Sequence, residues 1–234
     1  MPFSSADHFL NNMNLTADRE SFLARLDSFR PQGQAGERAL AMYSAAIALA
    51  DDLAMTRAVE VGRRLSLTAN VLYEVVLQSY LFLGFPRMLT AAENLSRTFP
   101  VESNEFELKA ISPAESRQWF DRGLELCRKV YADKYEVLMN RVAAMAPDVF
   151  RWMIIEGYGK VLSRPSLDII SRELSIIAFL MMENRVKQLH SHMTGALNVG
   201  ASRELIHSVV DDIGSAAGDG YDSARDILEQ WGRD

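Results

Sequence analysis

Residues 167–214 read LDIISRELSIIAFLMMENRVKQLHSHMTGALNVGASRELIHSVVDDIG, a stretch without proline and rich in Ala, Leu, Met, Arg and Glu. Those residues lose little rotamer freedom in a helix, and apolar positions recur here at helical spacing. The pattern predicts three helices, over 167–182, 185–199 and 202–214. Working outward, a final amphipathic helix is expected over 223–231. Upstream, Pro147 opens a helix that reaches residue 162, and another spans 134–145. Ser112, Pro113 and Glu115 form a capping box with proline at the first helical position, launching a helix through about residue 131. The polar, acidic segment 99–111 reads as a linker. Phe22, Leu23, Leu26 and Phe29 define a first helix over 18–29, which the loop RPQGQAG at 30–36 breaks. The segment 37–50 is apolar all round, the mark of a helix buried on several sides. Helices over 55–65 and 68–82 follow, the second stopped by Gly84 with Pro86 behind it. No run alternates polar and β-branched residues between turn signals, so the expected fold is all-α.

Composition narrows the function. The chain has 234 residues, 48% of them hydrophobic, enough to bury a sizeable core. A formal net charge of −6 argues against nucleic acid as a partner. Cys127 is the single cysteine, which rules out an intrachain disulfide, a Cys-x-x-Cys redox pair and a zinc site built on two thiolates. The beginning MPFSSADHFL lacks a basic region followed by a long apolar one, and no stretch holds the ~18 unbroken apolar residues of a membrane span. The expectation is a soluble cytoplasmic protein with no membrane partner.

A shift of 134 residues aligns the two halves without a gap. Arg38 falls on Arg172, Leu40 on Leu174, Val75 and Val76 on Val209 and Val210, and Gly84 on Gly218. Thr68 meets Ser202 as the expected N-cap of equivalent helices. The reading is a tandem duplication: an N-terminal arm at 1–36, a degenerate first repeat at 37–98, a linker with connecting helices at 99–145, and a second repeat with the candidate site at 146–234.

Ser171-Arg172-Glu173-Leu174, followed by His192-x-x-x-Ala196-Leu197-x-x-Gly200-Ala201-Ser202, resembles the signature of the carboxymuconolactone decarboxylase and alkylhydroperoxidase D superfamily. The segment APDVFRWMIIEGYGKVLSRPSLDIISREL resembles that family's lead-in helix, and EVVLQSYLFLGFPRMLTAAENL its closing helix and Gly-Phe-Pro turn. The resemblance covers 37–95 and 146–231. It implies an all-α fold of paired helical hairpins, here two repeats fused in one chain. Such proteins commonly assemble as homo-oligomers. The extra helices near 1–30 and 112–145 would cap the face that single-repeat relatives use, giving a dimer in place of a trimer of fused pairs.

The family's peroxidase branch carries a glutamate, a Cys-x-x-Cys and a histidine three residues beyond the second cysteine. The glutamate carries over as Glu173 and the histidine as His192, while Arg185 and Gln188 stand at the two cysteine positions. Thiol peroxidase chemistry therefore has no nucleophile. In the first half the matching positions are Ala39 and Ala58, leaving one complete polar site per chain. At 100° per residue, Arg185, Gln188 and His192 share one helical face, with Arg185 near a helix N-terminus that favours an anion. Arg185 and Gln188 are thus expected to bind a substrate carboxylate. His192 would exchange a proton, oriented by Glu173. The family then implies cofactor-free, metal-free decarboxylation, or a related lyase or isomerase step, on a small carboxylate or lactone. The competing reading is a catalytically silent member that binds a small molecule or serves as an oligomeric scaffold. His190 and His207 are expected at the surface or in packing; Tyr80, Phe82, Phe85, Trp152, Tyr158, Phe179, Met181 and Met182 in the core or a pocket wall.

Overall fold

The computed structural model of the protein describes residues 18–100 and 108–232, and all regular structure among them is helical. Two helices form the centre. In α2 (Ala35–Leu49) ten consecutive residues, Ala39 to Ala48, are buried; in α8 (Ile169–Met182) eleven are, from Ser171 to Met181. They pack against each other along their length, and the small side chains of α2 allow the close approach. A helix buried all round has no solvated face, as the apolar reading of 37–50 requires.

The other elements wrap this pair. Helix α1 (18–28), α3 (Asp52–Arg64) and α4 (Ala69–Thr98) precede α5 (Pro113–Tyr131), α6 (Tyr135–Met145) and α7 (Pro147–Trp152). A π-helical segment, Met153–Leu162, continues α7 without a break. Helices α9 (Val186–Asn198), α10 (Arg203–Ile213) and α11 (Asp219–Trp231) complete the chain. Asp51, Thr68, Ser112, Asp168 and Ser202 are N-caps whose side chains accept a backbone N–H, each stabilising its helix by about 1 kcal/mol. The capping box at Ser112 and Glu115 is present in full.

Several local expectations change. Gly84 does break the helix (φ 80°, ψ 166°), but the chain resumes helical geometry and runs to Thr98, because Pro86 is tolerated in the first turn after the break. Residues 18–29 are part of the core, not an appended arm: Phe22, Leu23, Leu26 and Phe29 are all buried. Residues 1–17 and 101–107, the rest of the arm and most of the expected linker, lie outside the described residues. Phe85 and Trp152 are exposed at 61% and 57%, so neither is core. Helix α4 is long and apolar enough to cross a membrane by length and composition alone. It is nevertheless broken at Gly84 and buries Glu74, Gln78 and Asn94 against neighbouring helices.

Helix starts recur at a fixed interval. Helices α8, α9 and α10 begin 134 positions after α2, α3 and α4. Thr68 and Ser202 share the same backbone angles, φ −80° and ψ 155°. Ala50 and Asn184, and Ser66 and Gly200, are further pairs at that interval with positive φ. Two polar ties cross between the halves in reciprocal positions. Arg38 on α2 donates to both carboxylate oxygens of Asp212 on α10, each at 2.7 Å. Arg172 on α8 donates to Glu74 at 2.9 Å and to Gln78 at 3.3 Å on α4, and Gln78 lies 134 positions before Asp212.

Candidate functional site

Helices α8 and α9 lie side by side, and their facing sides bring Glu173 and His192 together. His192 Nδ1 and Glu173 Oε2 are 2.9 Å apart. A carboxylate can only accept, so Nδ1 is the donor of this contact, and in the neutral imidazole Nε2 is then the nitrogen with the lone pair. Nε2 has no partner among the described residues. Glu173 is fully buried, while 8% of the His192 side chain reaches the surface. The ring is therefore fixed from the inside and open on its outer edge.

A purely structural role for the pair is costly. Glu173 Oε1 is buried without a hydrogen-bond partner among the described residues, a state that costs about 1–3 kcal/mol, and more when the group is charged. The positions 134 residues earlier hold Ala39 and Ala58, both buried without any polar side-chain group. Gly195 makes room for the carboxylate, since a Cβ at that position would lie 3.1 Å from Glu173 Oε2 and 2.8 Å from Val130 Cγ1.

Aromatic rings surround the histidine. Phe82, on α4 just before its break, meets the His192 ring edge-on with centroids 5.9 Å apart, and Tyr131 at the end of α5 does so at 6.2 Å. Phe179 stacks on Phe82, and Tyr158 from the π segment meets Tyr131 edge-on at 6.3 Å. Burial pushes the Tyr131 hydroxyl up to about 12, against a hydrogen bond from Tyr158 that pulls it down. Burial also raises Tyr158 well above its ordinary value, with the neighbouring Tyr131, Cys127 and Glu173 adding to it. Burial and then the Glu173 charge raise the Cys127 thiol to about 12, so it is a neutral, inert group at physiological pH.

The remaining expected site residues are not gathered with the pair. Arg185 precedes α9 as its N-cap, is 64% exposed, and approaches Glu183 at 3.7 Å. Gln188 is exposed as well. They share an angular face with His192, but that face is exposed at the start of α9 and buried only at His192. His190 and His207 are exposed. Among the described residues no group of three or more His, Cys, Asp and Glu side chains is placed to hold a metal. Two surface concavities, one lined by Arg151, Trp152 and Glu156 and one by Arg25, Arg38 and Asp212, lie away from the pair.

Sequence reasoning missed Tyr131, and with it the role of α5. The available signal was glycine inside helical segments. A Cβ on Gly123 of α5 would lie 1.9 Å from the Ile154 carbonyl oxygen, and one on Gly159 1.9 Å from that of Trp119. The backbones of α5 and the π segment touch there, bringing Tyr131 beside α9. The second missed feature is the buried cluster of Arg172, Glu74 and Gln78, to which the Arg164 side chain adds bonds of 2.9 and 3.0 Å with Glu74. Burial lowers the Arg172 pKa and its bond to Glu74 raises it. This cluster is a tie between α4 and α8.

The class that fold and site define is an all-helical protein with a buried histidine–carboxylate pair among its described residues. Peroxisomal protein 2 of Schizosaccharomyces pombe is similar to the chain, 27% identical over 139 residues, a match covering 58% of this chain and 64% of that protein. The chain thus spans less than two thirds of the relative's length. No known protein-family profile matches.

Proposed function

We propose that this chain is a carboxymuconolactone-decarboxylase-like protein of two tandem repeats, whose Glu173–His192 pair performs cofactor-free acid–base chemistry on a small carboxylate or lactone. The observation that carries this reading is the 2.9 Å contact that fixes the His192 tautomer and leaves Nε2 free at the surface edge. In that arrangement Nε2 takes a proton from a carbon acid, or, once protonated by solvent, gives that proton to the carbanion that forms as a carboxylate departs. Glu173 stabilises the imidazolium between the two steps. Thiol peroxidase activity is not part of the proposal, since Arg185 and Gln188 replace the cysteines and the Cys127 thiol stays protonated.

The duplication is supported by the 134-residue recurrence of helix starts, caps and reciprocal ties. Assembly as a homo-oligomer is supported by the exposed Phe85 and Leu89 on α4. A cytoplasmic location remains the proposal for the chain; the relative's name places that protein in the peroxisome.

The test is proton exchange. A panel of small lactone acids and β-keto acids, followed by NMR in D2O with the full chain, is expected to include compounds whose carbon-bound protons exchange faster with the protein. His192→Ala is expected to slow that exchange about 10²- to 10⁴-fold without loss of helicity. Exchange unchanged in that variant removes His192 from the chemistry. The exposure of Arg185 and Gln188 favours a second reading, a silent small-molecule binder, and binding without exchange for every compound would select it.

A further inference from the structure

We propose that Tyr131 is the second functional group of this site, its hydroxyl donating a hydrogen bond to the oxygen of an enolisable carbonyl compound whose carbon-bound proton His192 exchanges. This rests on the reading of Glu173 and His192 as an acid–base pair, and it adds a residue from a helix outside the family resemblance and a ligand class.

The geometry is built to hold this side chain. Tyr131 is the last residue of α5, and its ring stands 6.2 Å from that of His192. The close crossing at Gly123 and Gly159 presses α5 onto the π segment. Asn198 of α9 donates to the Val130 carbonyl at 2.8 Å, tying the last turn of α5 to the helix that carries His192. Gly195 lets Val130 approach α9 closely. Directly after Tyr131, Ala132 holds φ 46° and ψ −122°, a backbone conformation that costs an alanine energy and survives only where its surroundings impose it. The π segment, a rare geometry concentrated at functional sites, supplies Tyr158, whose ring meets that of Tyr131 edge-on.

The chemistry follows from which protons are free. Tyr158 is buried and meets Tyr131 ring edge to ring, so it closes the inner side of Tyr131. Tyr131 is only half-buried, and no described residue accepts its own proton. Both Tyr131 and His192 reach the surface, so one small ligand can meet a donor and a base together. His192 Nε2 takes the proton from the carbon beside the carbonyl. The C–H electron pair moves into the carbonyl, and the oxygen, now an enolate, is held by the Tyr131 hydroxyl without a second proton transfer. Reprotonation at carbon returns the His192 proton and restores both groups. When a carboxylate leaves instead, the C–C bond breaks, carbon dioxide departs and the same oxygen receives the electron pair. The carbon then takes its proton from His192, which solvent has first protonated at Nε2. Phe82 and the Tyr131 ring make the surroundings flat and apolar, which suits a small planar ring.

Phenols mimic such an enolate, and their acidity can be varied without changing shape. We expect 4-nitrophenol and a series of substituted phenols to bind the full chain at pH 7, with affinity that changes as phenol acidity changes. Tyr131→Phe keeps the ring and is expected to weaken 4-nitrophenol about tenfold and flatten the dependence on acidity. Tyr158→Phe is expected to flatten it partly. Three outcomes overturn the assignment of Tyr131: no phenol binding by the wild type, equal binding by Tyr131→Phe, or uniform weakening with the acidity dependence intact, which marks a packing role. If carbon-acid exchange is lost in His192→Ala but phenol binding ignores Tyr131, this inference fails and the acid–base reading stands. If exchange survives in His192→Ala, the acid–base reading itself falls.

Discussion

Two adjacent residues on α8 face opposite ways and are used differently. Arg172 points to α4, where Glu74, Gln78 and the Arg164 carbonyl take up its guanidinium; Glu173 points to α9 and holds His192 with one oxygen while the other goes unpaired. That unpaired oxygen separates function from stability. Glu173→Gln removes a buried charge, so protein stability is expected to hold or rise by about 1 kcal/mol, while carbon-acid exchange falls about 10²- to 10⁴-fold as the tautomer control is lost. Urea denaturation and the exchange assay, run on the same preparation, check both signs. A loss of several kcal/mol in Glu173→Gln makes the pair a structural hydrogen bond instead. The pairing of Glu173 with His192 was expected from the family resemblance alone, while the helices that carry them were legible in the sequence from their periodicity. The exposure of Arg185 and Gln188 was not, because angular position on a helix says nothing about how deep each turn sits.

Among the elements, α5 has the largest influence on the site and was the least readable. Its capping box and amphipathic rhythm placed its ends well, yet nothing in that rhythm says which helix it packs on. The information sits in two glycines, Gly123 and Gly159, that look like weak points in a helix and act as the contact between backbones. Gly123→Ala drives a Cβ into the Ile154 carbonyl, a backbone atom that cannot swing aside. The variant is expected to lose about 3 kcal/mol by thermal or urea unfolding, and to lose His192-dependent exchange even where it remains folded, because Tyr131 moves with α5. Exchange at the wild-type rate in folded Gly123→Ala means that α5 does not help build the site. The break in α4 shows the converse case. Gly84 and Pro86 were legible as a stop, but a stop is also a permissible restart once proline occupies the first turn after it.

At the scale of the whole molecule, two forces depend on how the halves meet. The first is titration of buried hydroxyl and thiol groups. Burial raises Tyr43, Tyr80, Tyr131 and Tyr158 above the ordinary 10.0, and Cys127 from 9.0 to about 12. Above those ordinary values the unfolded chain has released these protons and the folded one has not, so the unfolded state binds fewer and stability falls as pH rises. Chemical denaturation is expected to give a steep loss beginning between pH 9 and 10 and continuing through pH 12; a flat profile there contradicts the burial of these groups. The second is the pair of reciprocal ties. Arg38–Asp212 is partly solvated, with side chains 18% and 16% exposed, whereas Arg172 and Glu74 are both at 0%. Removing one member of a buried pair leaves the other charge stranded, at about 3–5 kcal/mol, while a partly solvated pair contributes about 1 kcal/mol. Arg172→Met is therefore expected to cost several times more than Arg38→Met. Arg164 still reaches Glu74 and softens the first loss, so the double variant Arg172→Met with Glu74→Leu is expected to recover most of it. Equal costs for the two single variants would mean that α4 and α8 stay solvated where they meet, and that the two ties are equivalent in energy as well as in position.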